Sequence, residues 1–179
     1  MLFVVLFALP AFGQSPSKNG PTVKETLHWI QTSLEDGGGD YSVKHETRSI
    51  RLQDFSGCEV HFVYTTHQEP YMNGEPAPEP DKKYRLDYFF RLGDIDPTSI
   101  IFTKGTPNRW DVPAFVTIAT TNEEKKITRR FPWDSEAEAK PDATYLMFTI
   151  DPIDADYVVR FTKAFKHAVE ACGGKSSTF

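Results

Sequence analysis

Near its C-terminal end the chain reads AFKHAVEACGG (164 to 174), with His167 five residues before Cys172. A histidine beside a cysteine can be a thiolate nucleophile with its base, or one corner of a metal site. On a helix, residues five apart are separated by about 500°, or about 140° around the axis, so the two side chains leave on different faces. The spacing excludes a local dyad. Cys172 also continues an apolar stripe of Val158, Phe161, Phe165 and Ala168, where a buried thiol is inert. His167 falls beside that stripe and suits the negative end of a helix, which is a structural role.

Other catalytic signatures are sparse. The five histidines, His28, His45, His61, His67 and His167, show neither HxxxH nor HExxH spacing. His61 and His67 fall on a strand and its end, where only the fold could assemble a site. Asp94 and Asp96 in LGDIDP imitate a metal-binding DxD, but Asp96-Pro97 is a favoured opening of a turn. No GxSxG elbow, phosphate-cradling glycine loop or EF-hand loop occurs. Acid–base carboxylate pairs stay open, because acidic residues are plentiful and their separations are not written in the sequence. No cofactor and no metal site is implied.

Two features suit binding. In KKITRR (125 to 130), alternation turns Lys125 and Arg129 one way and Lys126 and Arg130 the other. Such a strand either meets an anionic surface or is an edge strand protected by charge from aggregation. Tyr71 with Met72, Arg109 with Trp110, and Trp133 sit in Pro-rich connections. There they either anchor a partner or fold back over the core.

These residues must be carried by elements that the pattern reveals. Thr22 and Glu25 form a capping box, and Val23, Leu27, Ile30 and Leu34 recur at helical spacing until DGGGD (36 to 40) stops the helix. The period then changes to two. Strands are predicted over 41 to 53, the GCEVHFVYTT run, 84 to 92, 98 to 103, 113 to 121, 125 to 131 and 143 to 150. With no helix between them, they pair antiparallel. Residues 68 to 83, 104 to 111 and 132 to 142 read as loops, with EPAPEP favouring extended geometry. A second helix follows, with Asp151 as cap, Pro152 in its first turn, Asp154 and Asp156 at its positive end, and Gly173 and Gly174 as its stop.

The whole chain narrows the class further. Its 179 residues, 39% hydrophobic and 13% aromatic, suit one domain with a ring-rich core. A net charge of -5 argues against nucleic acid, whose binders carry an excess of Lys and Arg. MLFVVLFALPAFG (1 to 13) is apolar, too short to span a bilayer, and ends in a small-x-small pattern, so it reads as a secretory signal cut before Gln14. It lacks the positive start such signals have, a departure that a misplaced start codon would explain. No later run reaches spanning length, so an exported protein, periplasmic or extracellular, without a stable membrane anchor is expected. Residues 14 to 21 read as a linker, 22 to 174 as the domain and 175 to 179 as a tail. In an oxidising compartment, two cysteines commonly pair. Cys58 and Cys172 sit on apolar faces of a strand and of the helix expected to cover it, so they form a disulfide or pack as two buried thiols.

The layout, and the terminal segment RFTKAFKHAVEACGGK in particular, resembles uncharacterised exported bacterial proteins with a pleckstrin-homology-like, helix-closed barrel. The resemblance implies that the closing helix plugs one end of the barrel and that loops carry recognition. The capped helix before the first strand departs from it. The fold class read here is α+β: an antiparallel sheet or partly open barrel of about seven strands, one N-terminal helix and one closing C-terminal helix. The expected function is a non-catalytic binding or interaction module, its partner a protein or envelope component, with Tyr71, Arg109, Trp110, Lys125, Arg129 and Trp133 as candidate contacts. A hydrolase with an acidic or histidine site and a lipocalin-like carrier of an apolar molecule are the alternatives.

Overall fold

The first helix, α1 (Val23–Ser33), begins where the capping box closes. The Glu25 N–H donates to Thr22 Oγ1 at 3.2 Å and the Thr22 N–H to Glu25 Oε2 at 2.8 Å. Leu27 and Ile30 are fully buried. The glycine run does more than stop the helix: Leu34–Gly38 is a single π-helical turn in which Gly37 takes φ 110°. A side chain on Gly38 would collide with the Tyr157 ring and lie 2.7 Å from the Ser33 carbonyl, so the turn brings backbone against the second helix.

The computed structural model describes residues 20–43, 45–72, 75–76, 82–103, 114–133, 140–150 and 156–177. The expected signal segment, its cleavage point, the Asp151 cap and the loop 104 to 111 lie outside them. Eleven strands occur among the described residues: β1 (Asp40–Val43), β2 (Glu46–Ser56), β3 (Glu59–Gln68), β4 (Tyr71–Met72), β5 (Glu75–Pro76), β6 (Lys82–Arg91), β7 (Ile101–Thr103), β8 (Ala114–Ala119), β9 (Ile127–Arg130), β10 (Pro141–Ala143) and β11 (Tyr145–Ile150). All pairings are antiparallel. Six strands form one sheet in the order β1-β2-β3-β6-β9-β10, three form another in the order β11-β8-β7, and β4 with β5 is a separate hairpin. The fold is α+β, with two separate sheets and a helix at each end of the chain.

Local details depart from the periodicity. The expected strand 41 to 53 is a hairpin: β1 and β2 pair back to back, Val43 opposite Glu46. Alternation cannot report a two-residue reversal that preserves it. The loop 68 to 83 contains the small β4–β5 hairpin and the first residues of β6, and 132 to 142 ends in β10. The basic stretch begins its strand only at Ile127, and β10 pairs along it, so β9 is not an edge. Charge on it therefore does not serve edge protection.

The last helix, α2 (Tyr157–Ala171), buries Tyr157, Phe161, Phe165, Ala168 and Val169. Phe62 of β3 lies at the meeting point, 5.8 Å from Phe90, 6.3 Å from Phe148 of β11 and 6.1 Å from Phe165, centroid to centroid. One continuous core of rings and aliphatic side chains thus joins both sheets to both helices. Cys172, just past α2, is bonded to Cys58 in the β2–β3 turn, with Cα atoms 5.8 Å apart. Neither thiol is free.

Beyond the disulfide, residues 175–177 are strapped down by Asp96. That buried carboxylate accepts from Thr98 N at 2.7 Å, Thr98 Oγ1 at 2.6 Å and Ser177 N at 2.9 Å. The DxD imitation is a turn cap, not a ligand pair. Burial opposes its charge, but the hydrogen bonds from Thr98 and Ser177 outweigh burial and lower the carboxyl from 3.8 to about 2. The folded protein keeps this charge to lower pH than the unfolded chain does. Its contribution, about 2 kcal/mol at most, is therefore complete above pH ~4 and is lost as pH falls towards 2. Acid unfolding followed by fluorescence should show Asp96→Asn less stable than wild type at neutral pH and the gap narrowing below pH ~4; a constant gap contradicts the assignment.

Candidate functional site

The six-stranded sheet turns one face to the core and the other outward, and strand register alone says which residues meet on the outer face. Opposed residues share a face, so Asp40, Ser49, Thr65 and Arg85 form one cross-strand row, and Ser42, Thr47, His67 and Lys83 the next. Further along come Arg51, Val63, Asp87 and Arg130, and then, past a bulge between Leu52 and Asp54, the row Asp54, His61, Phe89 and Thr128. Apart from Val63 and Phe89, this surface is polar or charged throughout.

Its centre is held by ionic hydrogen bonds. Arg85 donates through Nε and Nη2 to the Asp87 carboxylate at 3.1 and 2.9 Å. His61 places Nε2 2.7 Å from Asp87 Oδ1 and Nδ1 3.1 Å from Asp54 Oδ2, and its ring stacks on Phe89 at 4.2 Å. Arg130 lies over the other aromatic contact, 4.8 Å from the Phe89 centroid. Burial opposes the charge of Asp87, but Arg85 and His61 outweigh it and hold its carboxyl below the ordinary value. Both histidine nitrogens are committed to the protein, and the cluster works as a clamp across β2, β3 and β6.

Beside this clamp a groove of about 570 Å³ runs over the first two rows. Its floor carries hydroxyls, with Ser49 Oγ and Thr65 Oγ1 hydrogen-bonded at 2.6 Å. Asp40 is neutralised by Arg51 at 2.6 Å and Arg48 by Glu46 at 2.8 Å. Among the described residues Lys83 has no ionic partner, and nothing accepts from Arg85 Nη1. Trp133 forms the rim: 73% of it is exposed, and it lies flat on Phe131 at 4.9 Å with the rings 7° apart. Tyr84, half-exposed, lines the same groove. A smaller groove of about 420 Å³ lies over His61 and Phe89, and one of about 520 Å³ lies between α1 and α2 beside Trp29.

The residues singled out by sequence fare differently. Trp133 reaches the main groove. Lys125 is exposed ahead of β9 and does not line that groove. Arg129 forms a fork with Asp142, through Nε at 3.0 Å and Nη2 at 2.8 Å. Lys126 pairs with Glu124 at 3.2 Å, so Lys126 and Arg129, two of the four cations in the basic run, are neutralised locally. The backbone of Tyr71 is in β4, while Arg109 and Trp110 lie outside the described residues. His167 donates from Nε2 to Pro21 O at 2.8 Å, and so joins the helix to the start of the domain. Lys83, Arg85 and Asp87 were missed by sequence reasoning. The available signal was the alternation of KKYRLDYFF, which puts Lys83, Arg85, Asp87 and Phe89 on one face.

Among the described residues no group of three or more His, Cys, Asp or Glu side chains could hold a metal ion, and no helix is long and apolar enough to cross a membrane. No protein-family model, curated protein or solved structure matches the chain.

Proposed function

We propose that the protein is an exported, non-catalytic binding module that engages its partner through the outer face of the six-stranded sheet. The observation that carries this reading is the open groove over β1, β2, β3 and β6, lined by both polar side chains and rings, with an exposed, stacked Trp133 at its rim. A rigid aromatic beside Lys83 and the remaining N–H groups of Arg85 is the pattern of a contact surface. The filled, ring-packed core weighs against the carrier alternative, since such carriers need an interior cavity. The hydrolase alternative has the Asp54–His61–Asp87 cluster as its best centre. Against it, both histidine nitrogens are already bonded and both cysteines are joined to each other. Export is supported by the disulfide, since such bonds persist in oxidising compartments, and by the apolar run over residues 1 to 13, whose pattern suits a secretory signal. The partner class that suits such a module is a protein or envelope component.

Native mass spectrometry of the protein isolated from its own source tests this reading. Wild type should carry an added mass that Trp133→Ala loses while melting at the same temperature. An added mass held equally by the variant, or turnover of ester or glycoside substrates abolished by His61→Gln, would overturn it.

A further inference from the structure

Resting on that reading, we infer that the groove takes an acidic, hydroxyl-rich oligosaccharide, a uronate-type chain. The groove sets two cross-strand rows of hydroxyl and charged side chains beside the rings of Tyr41, Tyr84, Pro132 and Trp133, so it suits a ligand that is polar along its edges and apolar on a face. A ligand that fits must bring its own hydrogen-bonding groups at close intervals, to exchange with the water that solvates Ser49 and Thr65. Tyr84 lines the groove, and at the rim Trp133 offers a flat face fixed by Phe131 beneath it. The face of an indole is electron-rich and attracts the partly positive C–H edges that a pyranose ring presents on one side. Hydroxyls outward and C–H groups on one face is the chemistry of a sugar.

Charge selects the acidic kind. The groove's own carboxylate, Asp40, is neutralised by Arg51, while Lys83 and the free edge of Arg85 remain as donors. Arg85 is held in place by Asp87, so its remaining N–H groups are preoriented toward a ligand carboxylate at little entropic cost. A volume of about 570 Å³ falls within the usual range for organic ligands, roughly 300–1,000 Å³.

The probes are a short galacturonate oligomer, its fully methyl-esterified counterpart and a glutamate oligomer of equal length. Amide shifts are mapped by NMR, and affinity is measured by calorimetry at low salt. The galacturonate oligomer should shift resonances of the two rows. Its affinity should fall about tenfold in Lys83→Glu, about tenfold in Trp133→Ala, and as much when the ligand is esterified. Equal binding of the ester, shifts confined to other surfaces, or no binding of the galacturonate oligomer overturns the ligand class. If the glutamate oligomer alone moves the rows, the sugar assignment fails and the groove as a binding surface stands. If the galacturonate oligomer binds the rows and is shortened on incubation, the ligand class is upheld and the non-catalytic reading falls.

Discussion

Replacing Cys58 and Cys172 together by serine is expected to lower folding stability by somewhat under 5 kcal/mol, from the loop of about 115 residues that the bond closes in the unfolded chain. Single domains have only about 5–15 kcal/mol in total, so the variant should be marginal at physiological temperature. The bond joins the β2–β3 turn, where Cys58 O also accepts from Leu92 N at 2.8 Å, to the end of α2. The last described residues continue from there to Thr121, Asn122 and Asp96. Losing the bond thus also frees this strap. Urea titration with and without a reductant measures the effect: the midpoint should fall, and the slope should rise because the reduced unfolded chain exposes more surface. An unchanged midpoint would show that the crosslink restrains nothing the core does not already hold.

The pairing itself was legible from the even cysteine count and from the apolar pattern around both residues, although Cys58 lies in the β2–β3 turn rather than on a strand face. So were both helices and every strand long enough to show alternation. Reversals that leave the alternation intact were not: Val43 and Glu46 sit either side of a turn without breaking the period. The site was less legible than the fold for a related reason. Trp133 stood out by type, but Lys83, Arg85 and His67 look like ordinary solvated residues until register sets them beside Ser49 and Thr65. The reverse also occurred. Arg129 and Lys126 looked like a basic surface, and Asp142 and Glu124, close in space, cancel them. Charge read along a strand says little until its cross-strand neighbours are known.

Phe62→Ala is expected to cost about 3–5 kcal/mol, against less than about 1 kcal/mol for Thr65→Ala three residues away on the same strand. Phe62 is fully buried and touches rings from β6, β11 and α2, so its removal leaves a cavity bounded by three elements that cannot all collapse inward. Thr65, on the opposite face, gives up one hydroxyl contact to Ser49 at a water-accessible groove. Denaturant midpoints of the two variants test the two-faced sheet on which the functional reading depends. Comparable losses would mean that the outer face is packed rather than open, and the groove would have no room for a ligand. The expected separation also makes Thr65→Ala useful for binding work, since its fold stays intact while the groove floor loses a hydroxyl.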